Sequence, residues 1–277
     1  MACFDPLRLS EKVEAEVYNE ADGRHLRRYW RFRSSRHYGG NNAGDVVGCN
    51  LRCAFCWAWK YAFSTRGGEM LSPRDAAKRI ARAGPFKTAR LTGGEPTIGW
   101  EHTRRLAALL VARGYTFILE TNGILIGAGL VDPVRIPGGV RVRVSIKAPT
   151  PAYFERATGA CARGFEFQIK ALEALHDAGL RPGIDYWASV VMGVAPRQAY
   201  ESLLERLARI DPMLASTVEE EYIVLYPHVV ELMRRRGFTP RIALTPEGEL
   251  IDPRKLLGGV GKGEEAYHED HHVHDKL

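Results

Sequence analysis

The chain has 277 residues, 45% of them hydrophobic and 26% charged. That composition excludes a disordered or fibrous protein and allows one large α/β domain or two small ones. Its 39 basic residues against 33 acidic ones give a net charge of +6. On a chain this long that is too mild to demand a nucleic-acid partner, and surface ion pairs account for it. Without an apolar run of about 18 residues there is no candidate membrane helix. Residues 1–10, which include Asp5 and Pro6, lack the apolar core of a secretory signal. A soluble, cytoplasmic protein is the expectation.

Taken in chain order, the punctuation predicts alternating strands and helices. Asp45–Gly48 reads as a strand feeding a cysteine loop. Ser72 is a helix N-cap with Pro73 at the first helical position, and the helix runs through Ala76–Arg82 to stop at Gly84. Thr88–Leu91 is a strand, Glu101–Arg113 a helix with Leu106, Leu109 and Leu110 on one face, and Tyr115–Glu120 a further strand. From Val140 to Lys147 the alternation is clean: Val140, Val142, Val144 and Ile146 share one face, Arg141, Arg143, Ser145 and Lys147 the other. Phe165–Ala178 is a helix, Asp185–Met192 a strand and Arg197–Ile210 a helix. Val218–Arg236 reads as helix, kinked or divided at Pro227, and Arg241–Leu244 as a last strand.

Such βα repetition implies a mostly parallel sheet, with about six units curving into a partial barrel. Ligands of such sheets sit at the carboxyl ends of the strands. There the sequence places the cysteine loop, Gly93-Gly94-Glu95, Thr121-Asn122-Gly123, Ser145 with Lys147, and Met192. The expected organisation is a basic and aromatic N-terminal extension (residues 1–40), the α/β domain (41–245) and a C-terminal tail (246–277). Within the extension, Arg27–Arg33 reads either as an RNA-binding arm or, preferably, as an amphipathic strand packed on the barrel through Tyr29 or Trp30. The tail carries His268, His271, His272 and His274, read as a solvated end rather than a metal site.

Five cysteines are present, and Cys49, Cys53 and Cys56 fall within eight residues. An odd, clustered set argues for a metal site over a disulfide framework. Three thiolates spaced Cys-x3-Cys-x2-Cys can hold three corners of a cubane cluster and leave one iron open. Structural zinc wants a fourth ligand, and only His37, through a fold-back, offers one. Cys3 and Cys161 are expected to be inert, with a hydrogen-donor role for Cys161 only if it lies at the site.

Cys49-x3-Cys53-x2-Cys56, with Phe55 before the last cysteine, resembles the signature of the radical SAM superfamily. Gly93-Gly94-Glu95-Pro96, Thr121-Asn122-Gly123 and the Ser145/Lys147 pair resemble its supporting motifs over roughly residues 41 to 245. The resemblance implies a (β/α)6 partial barrel of α/β class. It also implies a [4Fe–4S] cluster on the three cysteines and S-adenosylmethionine (SAM) bound by its open iron. Phe55, Gly93, Gly94, Glu95, Asn122, Ser145, Lys147 and Met192 would then contact the cofactor. Reductive cleavage would give a 5′-deoxyadenosyl radical that takes hydrogen from a substrate, whether a protein glycine, a small molecule or an RNA nucleoside. An external flavodoxin- or ferredoxin-like donor is implied. The competing class is a non-catalytic zinc- or cluster-stabilised binding protein.

Overall fold

A computed structural model describes residues 2–254. Its strands are β1 (Tyr18–Ala21), β2 (Arg24–Ser35), β3 (Asn41–Val46), β4 (Glu69–Leu71), β5 (Thr88–Thr92), β6 (Thr116–Thr121), β7 (Val140–Ile146), β8 (Tyr186–Val191), β9 (Glu219–Glu221), β10 (Ala243–Leu244) and β11 (Leu250–Ile251). The helices are α1 (Pro6–Val17), α2 (Trp59–Ala62), α3 (Pro73–Arg82), α4 (Trp100–Val111), α5 (Ile124–Gly127), α6 (Pro151–Thr158), α7 (Arg163–Asp177), α8 (Arg197–Ile210), α9 (Pro212–Ser216) and α10 (Pro227–Arg236). Local chemistry sets many of these ends. Ser72 accepts from Asp75 N with Pro73 following, as expected, and Asp5, Thr150 and Asp211 cap α1, α6 and α9 ahead of a proline in the same way.

Strands β3, β5, β6, β7, β8 and β9 pair in parallel and in sequence order. Right-handed crossovers then put α3, α4 and α7 on one face and leave the other to line a lumen. The Val140/Val142/Val144/Ile146 face is buried, as are Ile169, Leu172 and Leu175 of α7, which packs on β7. An antiparallel flank extends the sheet at its β3 edge, where β2 pairs with β3, β1 and β4. Tyr29 of that flank is fully buried.

Several expectations need correction. The 218–236 stretch is divided at Pro227, but only its second part is helical. Residues 219–221 form β9, the last strand of the parallel sheet. Arg241–Leu244 does not continue that sheet; Ala243–Leu244 forms a two-residue hairpin pairing with β11. The first parallel strand starts at Asn41 rather than Asp45. Cys3 and Cys161 are joined by a disulfide, against the expectation of two inert thiols. Phe4 explains the pairing: its N–H donates to Gly159 O (3.2 Å) and its carbonyl accepts from Cys161 N (2.8 Å), so the two segments lie side by side. The tail histidines lie outside the described residues.

Candidate active site

Cys49, Cys53 and Cys56 are all free, Cys53 buried and the other two half-buried. The loop carrying them leaves β3 at Gly48, whose φ of +85° suits glycine. Its backbone is pinned from several sides. Gly48 N donates to Tyr61 O (3.1 Å), Arg52 N to Thr158 O (3.2 Å), Ala54 N to Ala157 O (2.8 Å) and Cys56 N to Cys53 O (3.2 Å). From α10, His228 Nε2 meets Trp57 O at 2.8 Å, and Trp59 Nε1 donates to His228 O (3.1 Å). The Phe55 ring packs on Phe238, 5.6 Å between centroids.

Gly93-Gly94-Glu95 closes against this loop. Glu95 N donates to Gly48 O (2.9 Å), and a Cβ on Gly94 would fall 2.1 Å from that same oxygen. The glycine thus serves a backbone-on-backbone approach. The Glu95 carboxylate is buried and takes four neutral donors. Its Oε1 accepts from Thr97 N (3.0 Å), Thr97 Oγ1 (2.6 Å) and Thr121 Oγ1 (2.7 Å), and its Oε2 from Asn122 N (2.8 Å). Arg27, wholly buried, donates from below to Ile98 O (2.9 Å) and Glu95 O (3.4 Å). Burial lowers its pKa to about 10.

Asn122 uses its side chain twice: Oδ1 accepts from Ile124 N (3.1 Å), and Nδ2 donates to Asn50 Oδ1 (2.7 Å) within 3.9 Å of Cys49 Sγ. Asn50 is fully buried beside Cys49, and its Nδ2 has no acceptor among the described residues. Gln168 of α7, also fully buried, donates to Asn122 O (2.7 Å) and Ser145 O (2.8 Å), and its Oε1 accepts from Lys147 N (3.2 Å). It ties together the carboxyl ends of β6 and β7. Sequence reading missed Gln168, although a glutamine between Phe165 and Ile169 on an apolar helix face was a usable signal.

On the other side stands an ionic network. Lys147 Nζ donates to Ser145 Oγ (2.5 Å), and Ser145 Oγ donates to Glu221 Oε2 (2.8 Å), which also accepts from Ser189 Oγ (3.1 Å) and Arg143 (3.3 Å). Arg143 pairs with Glu219 as well (2.8 Å). Burial works against ionisation of Glu221, but Lys147 and Arg143 outweigh it and hold the carboxyl down at about 2. Desolvation likewise opposes the Lys147 charge, and Glu221 with the Cys53 and Cys49 sulfurs raises its pKa nonetheless. Glu221 escaped sequence reading because its segment was read as helix. Met192 follows β8 and donates its N–H to Glu221 O (2.8 Å), so its carbonyl and side chain are what it can offer a ligand.

The strand register puts Asp45, Arg90, Glu120, Arg143, Ser145, Ser189 and Glu219 on one face of the sheet, the face opposite the apolar one. Arg90 pairs with Glu120 at 2.7 Å. A separate cavity of about 460 Å³ opens at the amino ends of the strands, lined by His37, Tyr38, Thr88, Thr116 and Trp187 among others. His37 sits there, at the rim away from the cysteines, and offers them no fourth ligand.

The donor set suits a cluster better than a single ion. Burial pushes the Cys49 thiol up to about 12 and raises Cys53 and Cys56 too, so thiolates there need a cationic partner. Three thiolates give a cubane one ligand on each of three irons, whereas a structural zinc ion wants four ligands on one centre. The unpartnered Asn50 Nδ2 and the Leu51 N–H, 3.4 Å from Cys49 Sγ, are donors of the kind that surround cluster sulfurs.

Residues 45–210 match the model of the family described as the Radical SAM superfamily. The chain belongs to that superfamily. Radical SAM proteins are enzymes that work with a [4Fe–4S] cluster and SAM, which agrees with the expectation for this chain. A 7-carboxy-7-deazaguanine synthase of Hyperthermus butylicus is 35% identical over 124 residues, 41% of this chain and 51% of that protein. A probable GTP 3′,8-cyclase of Sulfolobus acidocaldarius is 27% identical over 137 residues, 48% of this chain and 42% of that protein. The chain thus spans about half the length of the curated relatives it matches. A radical SAM methyltransferase structure from Sphaerobacter thermophilus superposes with a TM-score of 0.49 at 17% identity, covering 82% of this chain and 71% of that one. Among the described residues no helix is long and apolar enough to cross a membrane.

Proposed function

We propose that this radical SAM enzyme cleaves SAM reductively at a [4Fe–4S] cluster held by Cys49, Cys53 and Cys56, and uses the resulting radical to take hydrogen from a small polar substrate in the lumen. When bound, cluster and SAM together supply one electron and a 5′-deoxyadenosyl radical. The chain's own residues bind and orient. Lys147, placed beside the cysteine sulfurs and held by Ser145 and Glu221, offers a cation to the SAM carboxylate. Asn50 and Asn122 offer amide groups next to Cys49. The Gly93-Gly94-Glu95 loop offers backbone to the methionine end, its carboxylate being engaged in holding Thr97, Thr121 and Asn122. Phe55 and Met192 would offer apolar contact to the bound cofactor.

One observation carries this reading: three free thiols leave the first strand of a parallel sheet at its carboxyl end, facing a Lys–Ser–Glu network from the fourth and last parallel strands. The charged inner face supports a small polar substrate over a protein glycine. The electron is expected from an external flavodoxin- or ferredoxin-like protein. Anaerobic reconstitution followed by EPR with and without SAM tests the reading. A perturbed [4Fe–4S]⁺ signal with 5′-deoxyadenosine in the same tube is expected; a colourless zinc protein, or a cluster indifferent to SAM, overturns it.

A further inference from the structure

We infer that the inner face of β2, together with Trp57, is a substrate site for the anionic group of a planar aromatic small molecule, with Arg31 and Arg33 taking the anion and Trp57 the ring. The inference rests on the lumen being the reaction chamber proposed above.

Its first support is position. Arg31 lies opposite Asp45 and Arg33 opposite Ala43 in the β2–β3 ladder. Directly opposed residues share a face, so both arginines join Asp45 and Arg90 on the inner face. Asp45 stands near the carboxyl end of β3, and a Cβ on Gly93 would lie 3.2 Å from its own Cβ. The two guanidiniums therefore sit beside both the cysteine loop and the Gly93-Gly94-Glu95 turn.

The second is charge. Asp45, with its side chain fully buried, serves both arginines: Arg31 Nε at 2.6 Å, Arg33 Nε at 3.0 Å and Arg33 Nη2 at 3.4 Å. Two cations on one carboxylate leave one positive charge in excess. Elsewhere on this face Arg90 is paired with Glu120, and Arg143 with Glu219 and Glu221. Arg31 and Arg33 are also the more open of these arginines, 40% and 23% exposed against 7% and 9% for Arg90 and Arg143. Asp45 engages Arg31 through Nε alone, so its terminal nitrogens face outward from that pair.

Aromatic geometry is the third. Arg31 lies 4.2 Å over the Trp30 ring and 5.6 Å from Trp57, and Arg33 lies 5.4 Å over Trp57. The β2 register slips between Tyr29 and Arg31, and such a bulge re-aims a side chain. The displaced residue is Trp30, stacked on Tyr61 at 4.2 Å and 5°. Its indole N–H is buried beside Gly93 without an acceptor among the described residues. Trp57 remains 37% exposed. Cations, a buried free donor and an open indole gathered beside Asp45 suit an anion carried on a flat ring. An RNA arm would need these cations outside, yet Arg27 is buried and Arg31 and Arg33 face the lumen.

The test is equilibrium dialysis of the cluster-loaded protein against GMP, quinoline-2-carboxylate, ribose 5-phosphate and a single-stranded RNA 12-mer. GMP or the quinoline carboxylate is expected to bind, their ratio telling phosphate from carboxylate, with ribose 5-phosphate at least tenfold weaker for want of an aromatic ring. Arg31→Gln and Arg33→Gln should each weaken the bound ring ligand roughly 10- to 100-fold. Arg33→Lys, which keeps the charge beside Asp45, should lose less, and Trp57→Leu should erase the preference for the ring. Far-UV circular dichroism and cluster absorbance report whether each variant is folded. Binding of neither ring ligand, affinities untouched in both Gln variants, or binding of the RNA alone overturns the inference. Production of 5′-deoxyadenosine by the parent protein is scored separately, so failure of the SAM reading is told apart from failure of this site.

Discussion

Two carboxylates flank the cysteine loop, and they are held in opposite ways. Glu95, on the β5 side, is surrounded by neutral donors from two backbone N–H groups and two threonine hydroxyls. Glu221, on the β9 side, is surrounded by Lys147, Arg143 and two serine hydroxyls. The first arrangement engages both carboxylate oxygens in fixing two strand-end turns. The second leaves a cation whose charge is only partly claimed and which faces the sulfurs. Geometry is built on one side of the site and charge is supplied from the other.

Replacing Cys49, Cys53 or Cys56 by Ala removes what both sides serve. Loss of the brown cluster absorbance and of 5′-deoxyadenosine is expected, checked by ultraviolet–visible spectra and mass spectrometry. Next in size, Lys147→Met should raise the dissociation constant for SAM by roughly 10- to 100-fold, the worth of a charge-assisted hydrogen bond. It should leave the cluster in place, as EPR titration would show. Glu95→Gln sets an amide NH2 against donors, and about 3 kcal/mol of lost stability follows, lowering Tm by roughly 6–12 °C with little dependence on salt. If Glu221→Gln costs as much stability as Glu95→Gln, the contrast between a geometric and an electrostatic carboxylate is wrong.

The smallest effect is in pH. Glu221 has a folded pKa of about 2, below the roughly 4.3 of an unfolded glutamate. Its contribution is therefore complete above the unfolded value and is lost as pH falls from there through about 2. Lys147 is shifted up, so its share persists until pH rises past the ordinary lysine value. Acid titration of Tm should show a loss below pH ~4 that Glu221→Gln diminishes. An unchanged acid limb in Glu221→Gln counts against the network.

The side of the site that legibly announced itself was the one written in short local motifs. Gly94, Glu95 and Asn122 lie in strand-end turns whose glycines and caps show in the sequence, and α3 begins where Ser72–Pro73 says it should. The ionic side was only half visible. Ser145 and Lys147 stood out through the alternation of β7, but Glu219-Glu220-Glu221 has no strand propensity. It is a strand because it ladders onto β8 and meets Arg143 and Lys147, an instance of tertiary pairing overriding local preference. Asn50 gave no periodic signal. The roles of Arg31 and Arg33 depend on register with β3, which a basic run does not reveal. Cys3 and Cys161 are 158 residues apart, and nothing local links them.

That same bridge has a consequence for how the chain responds to cutting. Cys3 is tied to the connection between α6 and α7, whose neighbouring carbonyls, Ala157 O and Thr158 O, hold the cysteine loop. In the oxidised protein every peptide bond from residue 3 to residue 161 lies inside a covalent ring that includes Cys49, Cys53 and Cys56. One proteolytic nick anywhere in that ring opens the circle but frees no fragment. The nicked protein should run as one band without reductant and as two with it.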